Sequence, residues 1–147
     1  MSASRETILS ALFDLGKGVQ WDSPLRGFAY SSRRLQNWVE CPVQPAFYQV
    51  EHDEMPTQKT GMLSLRRWEA KWVIYQNVGK NQSSIPATEN NMILDALDAA
   101  LLPPPGFETQ TLGGLVHHCY IEGTIFRDAG DLDGQGVMVI PIKILVP

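Results

Sequence analysis

The chain has 147 residues, about 44% of them apolar, and a formal net charge of −4. That length suits one domain with a conventional core, spanning residues 1–147, with no need of a disulfide or metal staple. Twelve glycines and ten prolines fall short of a low-complexity composition, and mild acidity speaks against a surface that searches DNA through clustered Lys and Arg.

Residues 4–16 read as a helix. Ile8, Ala11, Leu12 and Leu15 recur at helical spacing, Ser4 is placed to cap the first turn, Glu6 suits the positive end of the dipole, and Gly16 and Gly18 mark the exit. No signal-peptide pattern is seen in this opening stretch, and the longest apolar run, 137–146, is broken by Pro141 and Lys143, short of the ~20 residues of a membrane helix. Residues 19–45 form a long excursion punctuated by Pro24, Gly27, Pro42 and Pro45, with room for one short strand near 28–32.

Residues 46–52 predict a strand in which Ala46, Tyr48 and Val50 share one face and Gln49 and Glu51 the other, followed by a turn over 53–61. The clearest strand covers 63–77: Trp68, Ala70, Trp72 and Ile74 alternate with Arg67, Glu69, Lys71 and Val73, which buries one face and wets the other. After a polar loop, residues 89–102 predict a second helix, with Thr88 as cap, a stripe of Ile93, Ala96, Leu97, Ala100 and Leu101, and a stop at prolines 103–105. The last third reads as a hairpin with arms 115–127 and 137–145. In the second arm Met138, Ile140, Ile142, Ile144 and Val146 form one core face. The fold expected is α+β, with two helices packed on one face of a mostly antiparallel sheet of four to five strands.

Cys41 and Cys119 are far apart and read as reduced, buried small hydrophobes. His117, His118 and Cys119 suggest a metal, but neighbours on a strand point to opposite faces. His117 is expected on the core side with Leu115, Cys119 and Ile121, and His118 on the other with Tyr120 and Glu122. A direct acid/base contact between His118 and Glu122 is excluded along a strand, where four residues span ~13 Å. The acidic run Asp128, Asp131 and Asp133 lacks calcium-loop spacing and suits a hairpin turn. Gly113 and Gly114 are too few for a phosphate cradle, and no nucleophile elbow is present. The expectation is therefore no catalytic residue, no metal and no cofactor. The compact basic patch with Arg33 and Arg34, followed by Trp38, reads either as a solvated loop or as an interface anchor, because Arg and Trp are enriched at binding hot spots.

Four segments together resemble the tail terminator (tail completion) proteins of tailed bacteriophages: RETILSALFDL, SSRRLQNWVECPVQPAFYQVEH, TLGGLVHHCYIEG and DAGDLDGQGVMVIPIKILVP. They stand in the family's order and cover most of residues 5–147, whereas about 53–92 match by pattern only. The resemblance implies a non-enzymatic α/β subunit without cofactor that forms a hexameric homo-oligomeric ring, stops growth of the tail tube protein and meets the neck or connector protein. It implies a place in the virion tail or neck after assembly in the host cytoplasm, with no membrane, and DNA passing through a lumen without sequence recognition. Arg33, Arg34 and Trp38 fall inside a matching segment, as part of a loop free to contact a neighbour. Rival readings are a neck or head–tail joining protein, a domesticated prophage protein, and a soluble enzyme or ligand-binding domain using His118, Tyr120 and Glu122.

Overall fold

A computed structural model describes residues 3–22, 26–57, 65–79 and 85–147. The sequence readings that fall on 23–25, 58–64 and 80–84, including Pro24, the end of the 53–61 turn, the start of the 63–77 strand and most of the polar loop, lie outside them. In chain order the elements are α1 (Arg5–Lys17), β1 (Gln20–Trp21), β2 (Arg26–Gly27), β3 (Tyr30–Ser32), a 3-10 turn (Trp38–Glu40), β4 (Ala46–Thr57), β5 (Leu65–Asn77), α2 (Pro86–Ala100), β6 (His118–Ile121), β7 (Phe126–Asp128) and β8 (Gln135–Val146).

Two helices and a mixed sheet make this an α+β protein. The sheet runs β3-β4-β5-β8-β6, with β7 on the same side of β8 as β6. Every pairing in it is antiparallel except β3 with β4. Ser4 caps α1 as expected, its side chain accepting from the Thr7 backbone N–H. The buried stripe of α1 is Ile8, Leu9, Leu12 and Gly16, rotated slightly from the predicted one. Gly16 belongs to the helix rather than to its exit. A Cβ there would lie 2.4 Å from the Phe47 ring, so glycine lets helix and sheet meet.

The sheet face beneath the helices is continuous in register. Phe47 pairs with Ile74 and Ile74 with Met138; Trp72 pairs with Ile140, Ala70 with Ile142, and Trp68 with Ile144, which Cys119 flanks on its other side. These residues join Ile8, Leu12, Ile93 and Leu97 in one core. Gln49 is buried in the same layer. Its amide donates to the Leu9 carbonyl at 2.8 Å and its oxygen accepts from the Trp72 indole at 3.1 Å, so a polar side chain fastens α1 to the sheet.

Several elements depart from the sequence reading. Helix α2 begins at Pro86 with Ile85 as its cap residue, and Thr88 lies inside the first turn; proline's fixed φ and missing N–H suit that start. Strand β4 does not stop at His52 but runs to Thr57 across a bulge between Glu51 and Glu54. The long 115–127 arm is two short strands, broken where Gly123 takes φ +120° against Pro141. His117 is exposed rather than in the core, because the chain bends just before β6 and Val116 takes the inward place.

Both rims of the sheet are irregular. One is the three-residue β3 followed by the unpaired edge of β4, which carries the bulge, four consecutive ionisable residues (Glu51, His52, Asp53 and Glu54) and Pro56. The other is the interrupted β6–β7 pair.

Candidate protein-interaction loop

The sheet face away from the helices is not uniformly wet. At one end Ala46, Tyr48, Val73 and Tyr75 form a second buried cluster, with Tyr30, Cys41, Val50, Val137 and Val139 packed around it. What covers it is the excursion, which is ordered over its described residues. Its β1–β2 hairpin is held to α2 through Glu89, which accepts from the Trp21 indole at 3.3 Å and from Arg26 at 2.5 Å. β3 then pairs with β4, and Gln36 sits over the cluster: the Tyr48 hydroxyl lies 3.0 Å from its side-chain oxygen, and the Tyr75 hydroxyl donates to its carbonyl at 2.6 Å. At the far end Gln44 and Gln135 exchange two amide hydrogen bonds of 3.1 and 3.0 Å. Burial, and the nearby Cys41, push the titration of both tyrosines upward, so both hydroxyls remain neutral donors.

Between these anchors the chain stands proud. Leu35, Trp38, Val39 and Val43 are 46%, 47%, 67% and 47% exposed, concentrated within nine positions. Arg34 is exposed beside them and enters no ion pair among the described residues; its backbone N–H is held by the Ser32 hydroxyl. The structure thus puts Arg34 and Trp38 together on one exposed apex. Arg33 is different. It is half-buried and bridges Glu6 of α1, at 2.5 Å, to Glu51 of β4, also touching Ser10. Its guanidinium holds the Glu6 carboxyl below the usual carboxylate range. Arg33 is a clasp within the chain, which corrects its reading as a residue free to contact a neighbour. Leu35, Val39 and Val43 were not singled out in the sequence, although three apolar residues in a Pro-punctuated segment without strand or helix period carry that signal.

Among the described residues nothing covers the other end of the same face. A groove of about 480 Å³ is lined by Asp53, Glu54, Met55, Arg67, Glu69, Tyr120, Glu122, Lys143 and Leu145. Lys143 bonds Glu69, which lowers that carboxyl's titration, and Arg5 Nε donates to both oxygens of Glu54 at 3.0 Å. Burial, and then the Glu122 carboxylate, raise the Tyr120 phenol. His118 stands behind the groove, stacked on Tyr120 at 4.6 Å, with Nδ1 accepting the Gln110 backbone N–H at 3.1 Å. That bond occupies Nδ1, so His118 faces its own loop while Tyr120 and Glu122 face the groove.

Among the described residues no group of three or more His, Cys, Asp or Glu is placed to hold a metal ion. The turn carboxylates bond their own backbone: Asp128 accepts from Gly130 N–H and Asp133 from Gln135 N–H, each at 3.0 Å. Burial lifts the Cys119 thiol to about 12, which keeps it protonated at neutral pH. No described helix is long and apolar enough to cross a membrane. No protein-family model matches the chain, and no curated protein matches it.

Proposed function

We propose that this protein is a structural subunit of a phage tail, a terminator that forms a ring of identical copies, halts growth of the tail tube and presents a surface to the neck. The observation that carries the reading is the anchored apex: four large apolar side chains, and an arginine with no ion pair among the described residues, held out by a segment with fixed ends. Apolar surface concentrated on a preorganised loop loses little ordering entropy on docking, which suits repeated contact between copies. A heterologous patch of this kind closes into a ring without a free end when the rotation between copies closes on itself. The likeness of the four sequence segments to tail terminators supplies the rest of the reading.

Light scattering after size exclusion, over rising concentration, is expected to give a discrete oligomer, and added protein is expected to stop elongation of purified tail tubes. Trp38→Ala combined with Arg34→Ala is expected to leave the melting temperature unchanged and to weaken assembly by ~2 kcal/mol or more. Normal assembly by that double variant overturns the role of the apex.

A further inference from the structure

The geometry points to a head-to-tail contact in which the apex of one chain seats in the open groove of a second copy, Trp38 entering over Met55, Leu145 and Tyr120 while Arg34 meets Glu122 and Glu40 meets Arg67. This inference rests on the ring reading and says which surfaces join.

Charge accounting selects the partners. Once the pairs Arg5–Glu54, Lys143–Glu69 and Arg33 with Glu6 and Glu51 are set aside, the apex keeps Arg34 and Glu40, and neither enters an ion pair among the described residues. Among the described residues the groove keeps Arg67 and Glu122 outside any ion pair, Glu122 beside the Tyr120 phenol, and Asp53 lies 3.4 Å from His52. Each surface therefore offers one cation and at least one anion to the other. Its apolar lining includes Met55, 63% exposed on the isolated subunit. A volume of about 480 Å³ is within the roughly 300–1,000 Å³ of sites that enclose small molecules, and an indole is smaller than such ligands.

The two surfaces cannot satisfy each other within one chain. The apex lies over Tyr75, which pairs with Val137, and the groove over Arg67, which pairs with Leu145. Along β8 those positions are about 26 Å apart at roughly 3.3 Å per residue. Complementary patches at opposite ends of one face join copies either reciprocally in a two-fold pair or head to tail, which yields a closed ring or an open filament; the ring reading selects the second. The charges at the rim set orientation and the enclosed aromatic supplies affinity.

The test uses the full chain and three variants, Arg34→Glu, Glu122→Arg and the two together, followed by analytical ultracentrifugation with melting temperature as the folding control. Each single change is expected to weaken self-association about tenfold or more, and the combined swap to recover most of that loss. Mixing Trp38→Ala chains with Glu122→Arg chains is expected to give two-chain species only, since each mixture retains one sound apex and one sound groove. Unchanged association in both single variants, or a swap no better than either, overturns the pairing and leaves the ring standing. Wild-type chains that stay monomeric at every concentration overturn both.

Discussion

The two ends of the outer sheet face are built from the same three strands, β4, β5 and β8, yet the described residues roof one and leave the other open. The roofed end carries Tyr48, Val73, Tyr75 and Val137, whose apolar surface is costly to leave in water and whose hydroxyls need partners once covered. The open end carries Arg67, Glu69, Lys71 and Lys143, which remain solvated or pair across strands. The side chains on the strands therefore decide where the excursion lies down, and its anchors decide which of its residues are left outside. Gln36 and Cys41 go under; Leu35, Trp38 and Val39 do not.

Truncation breaks the contrast most directly. Tyr75→Ala is expected to cost about 3 kcal/mol or more in chemical denaturation, as removal of a buried aromatic does, whereas Tyr120→Ala at the open end is expected to cost well under half as much. Equal losses would mean that the roof contributes nothing to stability. Alkaline titration gives a milder perturbation. The raised tyrosines favour the neutral phenol in the folded state, so their contribution is fully present below about pH 10 and is lost as pH rises through the folded values. The denaturant midpoint is expected to fall as pH rises above about 10. Tyr75→Phe should flatten part of that fall while costing about 1 kcal/mol at pH 7. Arg33→Ala is expected to have the smallest effect, below that of Tyr75→Phe, because its partners Glu6 and Glu51 are exposed. Glu6 titrates low, so the Arg33 contribution is present at neutral pH and vanishes as pH drops through the folded value. Wild type and Arg33→Ala should then converge on acidification below about pH 4.

Regular periods were readable and their exceptions were not. The Ser4 cap, the alternation of β5 and the core face of β8 followed from spacing alone, because each is a local pattern repeated over several turns or pleats. The end of β4 was hidden because Met55 and Pro56 resemble a turn, and only the bulge against Trp68 returns them to the strand. The alternation puts Val73 on the wet face, yet it is buried together with Tyr75, whose hydroxyl bonds Gln36, 39 residues away in sequence. The basic patch is plain in the sequence, but no local rule separates Arg33, which turns inward to two glutamates, from Arg34, which does not. Gln49 resembled a solvent-facing residue because its partners, Leu9 and Trp72, belong to other elements.

The irregular rims have a consequence for how copies accumulate. A long flat strand with a free edge invites indefinite stacking through backbone bonds, which is hard to reverse. Here one rim is interrupted at Gly123 and the other by a bulge, adjacent charges and Pro56. Edge-to-edge growth through backbone bonds is therefore disfavoured at both rims, and in the ring proposed above the contacts between copies would fall to side chains.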